Sequence, residues 1–225
     1  MVSGIVGRVN RRSHNQNLKK NRMGRVSDAK DRLMAAVREL IWTGSYGSTT
    51  IDQICQKASV KKGSFYHFFD SKADLAVAAI DAEWQSKKSE LDAIFSPVVA
   101  PLDRIRNYCE FGYRMQADLK ARFGYVLGCP LFTLGAEVST REDRLCRKIQ
   151  EILDYKQRYL ESTIRDAHAA GLVVAPDAAA KARMVFAYYE GLLTQARIHN
   201  DVEILREAVH RLMDLLGANQ TKAAA

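Results

Sequence analysis

The run Lys61-Lys62-Gly63-Ser64 combines two ammonium groups, a hydroxyl and a residue without a side chain. At the start of a helix such a run can donate hydrogen bonds to phosphate oxygens and to the edges of bases. Gly63 costs roughly 1 kcal/mol of helix propensity relative to alanine, so its presence asks for a reason, and close approach of backbone to DNA supplies one. Other reactive side chains do not assemble into a catalytic or metal centre. Cys55, Cys109, Cys129 and Cys146 include no C-x-x-C pair, and no His/Cys cluster has zinc-site spacing. A nucleophilic Cys129 would need a base within hydrogen-bond reach. None of His14, His67, His168, His199 and His210 lies in a motif that places it there. Phosphate-binding glycine loops, HExxH and G-x-S-x-G are missing. The sequence therefore points away from an enzyme and asks for no metal or cofactor.

Helices must position these residues, because no stretch sustains the period-two alternation of a strand. A first helix is predicted from about Asp28 to Thr43, with Leu33, Val37, Leu40 and Ile41 as its apolar stripe and Gly44 as its stop. Thr50 with Gln53 forms a capping box that opens a short second helix. Ala58-Ser59-Val60 makes a tight turn, and a third helix covers Lys61 to Phe68. Two short helices joined by such a turn, beside a supporting first helix, form a helix-turn-helix whose second short helix enters the major groove. Ser71 with Asp74 opens a long helix to about Ile94, and Ser96 to Pro101 is a linker. Leu102, Ile105, Cys109, Gly112, Met115 and Leu119 then recur at helical spacing, and Gly128 and Pro130 interrupt a bent segment over 124–138. A third capping box, Ser139 with Glu142, starts a long helix closed by Gly171; Pro176 opens the next, to about His199, and Asp201 caps the last, to Leu216.

The chain of 225 residues carries a formal net charge of +8. Arg8, Arg11, Arg12, Lys19, Lys20, Arg22 and Arg25 give residues 1–26 a charge of +7 with no acid, so +1 is left for the remainder. This basic arm can hold phosphates by counterion release, or it is a leader ahead of a start at Met23. No apolar run approaches the roughly 18 residues a bilayer span requires. No apolar stretch follows the N-terminal arginines as a secretory signal would demand. A cytoplasmic protein with reduced cysteines and no membrane partner is the default expectation.

Thr49-Thr50-Ile51, Ile54, Ala58, Val60, Lys62-Gly63-Ser64-Phe65-Tyr66-His67-Phe68-Phe69, Ser71-Lys72 and Leu75 together resemble the TetR family of repressors. The family pattern is approximately G-V-S-K-G-T-L-Y-H-Y-F-x-S-K-E-x-L, and it is met without a gap. Ser59 replaces the usual turn glycine, which strains a left-handed turn, and Cys55 replaces the usual alanine. The resemblance implies DNA contacts for Thr50, Lys61, Lys62, Gly63, Ser64, Tyr66, His67 and Lys72. Thr50 and Lys72 would hold phosphates at helix starts. The implied fold is all-α, with an N-terminal three-helix helix-turn-helix domain and a C-terminal helical ligand-binding and dimerisation domain. We place the arm at 1–26, the DNA-binding domain at 27–75 with its long helix running on to about 94, and the effector-binding and dimerisation domain at 76–225.

In the C-terminal half the resemblance is architectural. Tyr188 to Leu193 with Ala196-Arg197 resembles the penultimate helix that pairs across a two-fold axis in this family. It implies a homodimer interface of Tyr189, Gly191, Thr194, Ile198, Leu205, Val209 and Leu212; the alternative is burial within one chain. Tyr108, Phe111, Phe123, Phe132, Tyr159 and Phe186 suit either plain core or the lining of a pocket for a small, largely apolar effector. Gly128-Cys129-Pro130 with Leu134 and Glu137 resembles a subgroup in which the cysteine responds to electrophiles or oxidants. That implies a reactive Cys129, acidified by Arg122 or Arg141, against the alternative of a buried, inert thiol. The function expected is a repressor binding a palindromic operator in double-stranded DNA as a dimer, modulated by such an effector or by thiol modification. The competing reading is an architectural DNA binder without sequence preference, driven by the basic arm.

Overall fold

A computed structural model describes residues 28–218, so the basic arm at 1–26 lies outside the described residues. Every regular element among the described residues is helical. Helix α1 covers residues 28–43 and ends where the Gly44 N–H bonds the Leu40 carbonyl at 3.0 Å. Helix α2 (Ile51–Ala58) starts at a formed capping box, in which the Thr50 hydroxyl accepts from the Gln53 N–H and the Gln53 side chain accepts from the Thr50 N–H. Ser59 ends α2 in the left-handed region at φ 52°, where a β-carbon is strained, and α3 (Lys62–Phe68) follows directly. Leu33, Val37, Ile54, Phe65 and Leu75 are fully buried between these helices and the start of α4 (Lys72–Ile94). Each contributes roughly 1.5–3 kcal/mol by leaving water.

Five further α-helices and a 3-10 turn among the described residues build the larger half. Helix α5 (Pro101–Phe123) has proline in its first turn and stops at Gly124, φ 80°. Helices α6 (Pro130–Val138), α7 (Asp143–Ala169) and α8 (Ala178–His199) follow. The predicted last helix is divided: Asp201 caps a 3-10 turn (Val202–Glu207), and α9 (Ala208–Leu216) comes after it. The tighter turn sends Val202 and Leu205, three residues apart, into the core. The capping box expected at Ser139 and Glu142 does not form. Ser139 closes α6 instead, the Glu142 carboxylate accepts from the Tyr46 hydroxyl at 3.1 Å, and α7 begins at Asp143 with Glu142 as its cap.

Helices α5, α7, α8 and α9 enclose one core that includes Ile105, Leu160, Ile164, Val185 and Leu212. A smaller cluster of Tyr46, Ala76, Leu134, Val138, Leu145 and Ile149 joins the two halves. Within the large core α5 and α8 approach closely at Gly112. A β-carbon there would lie 1.8 Å from the Tyr189 hydroxyl oxygen and 3.2 Å from its ring carbon. The Tyr189 hydroxyl has no hydrogen-bond partner, so only shape holds it. Gly112→Ala should therefore destabilise the fold by about 1–3 kcal/mol in denaturant melts. Adding Tyr189→Phe, which removes the clashing oxygen, should restore most of that loss; additive effects of the two changes would refute the contact.

Candidate nucleic-acid interface and internal cavity

The fold turns one surface of α2 and α3 outward. Thr50, Lys61, Lys62, Gly63, Ser64, Tyr66 and His67 are all exposed, whereas Phe65 and Phe69 of the same segment are buried. Tyr66 leaves 52% of its surface to solvent, and His67 packs edge-on to Phe68 at 5.0 Å. Lys62 pairs with Asp52 at 2.8 Å, with both side chains in water, so the pair is weak and a phosphate can compete for the ammonium. Nothing lies within 4 Å of a β-carbon built at Gly63, and its backbone is not left-handed. The packing of the described residues gives no reason for a glycine there.

Lys72 is the exception among the expected phosphate contacts. Its ammonium turns inward, donating to the Tyr46 carbonyl at 2.7 Å and the Thr49 carbonyl at 2.8 Å. It sits 4.0 Å over the Tyr46 ring. Burial lowers its pKa against the pull of Glu142 and Glu137. Both carbonyls lie at a loop and need a donor, which the Lys72 ammonium supplies.

The same loop is held from the other half of the molecule. Glu137 of α6 accepts from the Tyr46 N–H at 2.9 Å and the Gly47 N–H at 2.6 Å. Arg197 of α8 donates to the Trp42 carbonyl at 3.3 Å and the Leu127 carbonyl at 2.9 Å, and the Trp42 indole N–H reaches that Leu127 carbonyl at 3.1 Å. Thus both the end of α1 and the loop that leads into α2 are fastened to α6, α8 and the segment between α5 and α6. Sequence reading missed this joint because its partners lie about ninety residues apart, as |i−j| = 91 for Tyr46 and Glu137.

A cavity of about 140 Å³ lies beneath the joint, walled mainly by apolar side chains of α1, α4, α5, α6, α7 and α8. Of the expected effector residues, Tyr108, Phe111 and Cys129 line it. Phe132, Tyr159 and Phe186 do not, and neither does Phe123. Phe132 packs edge-on against Phe186 at 5.8 Å, and Tyr159 stacks on Phe95 at 4.8 Å, so these rings satisfy one another away from the cavity. Lys156 of α7 lines the wall, 16% exposed, and pairs at 3.4 Å with Glu190, which is 0% exposed. Burial works against the ammonium, yet Tyr108, Cys129 and Glu190 around it hold the Lys156 proton well above the usual lysine range. A sign of this pair was present in the sequence: each charge interrupts an apolar stripe, Lys156 between Ile152 and Leu160, Glu190 between Phe186 and Leu193.

The expected dimer residues divide. Gly191, Thr194 and Ile198 are exposed and Val209 is half-buried, but Tyr189, Leu205 and Leu212 are buried inside their own chain. Tyr189 faces the cavity and Gly112, and Leu205 and Leu212 complete the core against α5 and α8, so these three have no surface to offer a second copy. The outward stripe of α8 is instead Met184, Tyr188, Gly191 and Ile198, with 71% of Ile198 in solvent.

Cys129 is not acidified. Burial, followed by the neighbouring Glu190 charge, pushes its thiol up to about 12, and Lys156 rather than Arg122 or Arg141 is the cation that opposes the rise. Cys55, Cys109 and Cys129 are buried and Cys146 is half-buried. A charged alkylating agent such as iodoacetate should therefore label Cys146 first at neutral pH, with Cys129 slower by a factor of about ten or more. Peptide mass spectrometry over time reads the order. Early labelling of Cys129 would mean that its burial opens on the timescale of the reaction.

Residues 33–79 match the family of bacterial regulatory proteins, tetR family, and residues 101–212 match the tetracyclin repressor-like C-terminal domain. The transcriptional regulator AcuR of Cereibacter sphaeroides is 33% identical over 189 residues, which are 80% of this chain and 84% of that protein. The HTH-type transcriptional repressor NemR of Escherichia coli is 23% identical over 195 residues, covering 84% of this chain and 94% of NemR. The crystal structure of regulatory protein TetR from Rhodobacter sphaeroides aligns with a TM-score of 0.71 at 31% identity, covering 82% of this chain and 96% of that one. No helix among the described residues is long and apolar enough to cross a membrane. With an outward polar surface on the two short helices and relatives that match across both halves, the chain belongs to the TetR family of transcriptional regulators.

Proposed function

We propose that this regulator is a repressor that binds a palindromic operator as a homodimer and releases it when a small, largely apolar molecule enters the cavity. It acts in the cytoplasm, where the chromosome is. The reading that carries this is the single exposed surface of α2 and α3, on which Lys61, Lys62, Ser64, Tyr66 and His67 surround a glycine that the fold itself does not need. Two such surfaces about 34–36 Å apart fit successive turns of the major groove. Residues 27–75 form the reading unit, the remainder senses and dimerises, and the basic arm at 1–26 adds phosphate contacts. The exposed stripe of α8 supports pairing of two copies: Gly191, like Gly63, has open space where a β-carbon would stand. The relative NemR is a transcriptional repressor, which supports the sign of regulation.

The cavity and the reading helices share elements, which supplies a route for release. Pro130, Leu131 and Leu134 of α6 line the cavity, and Glu137 one turn on holds the loop before α2. Trp42, at the end of α1, lines it too. A ligand that fits only when α6 shifts favours a conformer with different spacing between the two reading surfaces, and DNA affinity falls by its differential affinity for the two states. Thiol modification is a subordinate route: Cys129 meets whatever fills the cavity.

Selection from random duplex DNA with the full chain should enrich a palindrome; enrichment of no sequence would favour the architectural reading. Gly63→Ala should raise thermal stability by up to about 1 kcal/mol while weakening operator binding. Unchanged operator binding would refute the close backbone approach. Glu137→Ala should speed amide exchange at Tyr46 and Gly47 by about tenfold, since each loses a charge-assisted acceptor. Exchange at wild-type rates would mean that α6 does not hold the loop.

A further inference from the structure

The walls of the cavity are mainly apolar; on the side of α1 and α4 they also include Lys87 and the paired Arg38 and Glu83. On the other side Lys156 of α7 pairs with Glu190 of α8, and Tyr189 of α8 also lines the cavity. Three features make this corner unfinished. The ammonium has three N–H donors, but its Glu190 partner stands at 3.4 Å, longer than the roughly 2.7–2.9 Å of a good charge-assisted bond. The Tyr189 hydroxyl is buried and has no partner. The second carboxylate oxygen of Glu190 is buried and has none either. Leaving buried polar groups unpaired costs about 1–3 kcal/mol each, so a site that keeps them is prepared for a group that completes them. Two of the three, the ammonium and the phenol, belong to residues that line the cavity, and both can donate.

Resting on the reading of this cavity as the effector site, we infer that the effector is a small molecule with an apolar body and a carbonyl-type oxygen at one end. That oxygen accepts from Lys156 and Tyr189. The apolar remainder lies against Leu131, Leu134 and Met115 toward α1 and α4. A cavity of about 140 Å³ suits a single short or monocyclic body. Gly112 belongs to the same device, because a side chain there would displace the Tyr189 hydroxyl from its place.

Both tryptophans of the chain, Trp42 and Trp84, line the cavity, so their fluorescence reports its occupancy. The full chain is titrated with toluene, benzamide and benzoate, which share a ring and differ in the end group. Benzamide or benzoate should bind about tenfold or more tighter than toluene, and whichever is preferred tells whether the acceptor is a neutral carbonyl or a carboxylate. The preference over toluene should vanish in Lys156→Met combined with Glu190→Gln, a pair of changes that leaves no buried charge behind. It should shrink in Tyr189→Phe, which removes one oxygen atom only. Toluene binding as tightly as both oxygen compounds would overturn the anchor while leaving the cavity as the effector site. Failure of all three probes to change the fluorescence would overturn the cavity reading itself, and the anchor with it.

Discussion

The reading half depends on a backbone need that it cannot meet alone. The loop between α1 and α2 bends too sharply to satisfy its own N–H groups at Tyr46 and Gly47, and their acceptors come from Glu137, on α6 of the other half. Lys72 serves the opposite polarity, donating to the Tyr46 and Thr49 carbonyls. The start of α2 is thus placed by an acid and a base from α6 and α4. A carboxylate that accepts two backbone N–H groups at once is a stiff connection, because a small rotation of α6 breaks both bonds together. Gly47 makes room for it: a β-carbon there would stand 3.0 Å from the Glu137 carboxylate.

This stiffness matters because α6 is short and has a cavity behind it. Of its residues, Leu131 and Leu134 face the empty space, and Leu134 and Val138 pack into the small cluster with Tyr46 and Ile149. A packed element of this kind changes position in discrete steps rather than by gradual bending. The second connection, through Arg197, Trp42 and the Leu127 carbonyl, reaches the same segment from α8. Sensing and reading therefore meet over a few hydrogen bonds, most of them to backbone atoms.

The glycines sort by what they face. Gly112 is demanded from inside, by the Tyr189 hydroxyl. Gly128, at φ 64°, is demanded by its backbone and by Arg197, whose side chain passes 3.3 Å from a β-carbon there. Among the described residues nothing lies within 4 Å of a β-carbon built at Gly63 or at Gly191. Helix propensity alone would favour alanine at both positions.

The sequence by itself determined the helices, the helix-turn-helix and the outward face of α3. These depend on local signals: the Thr50–Gln53 box, the apolar period of Leu33 and Val37, and the turn at Ser59, where a β-carbon sits at a left-handed φ of 52°. Local signals also put Phe65 and Phe69 inside. Only the tertiary structure decided the direction of Lys72, the wall of the cavity and which faces of α8 and α9 stay open. Lys72 follows two carbonyls more than twenty residues away, with |i−j| of 26 and 23. Tyr189, which the resemblance implies at a contact between copies, lines the cavity instead, because a helix with apolar residues on both sides does not announce which side its own chain will cover. The pairing of Lys156 with Glu190 depends on how α7 and α8 are set against each other, and periodicity within either helix carries no information on that.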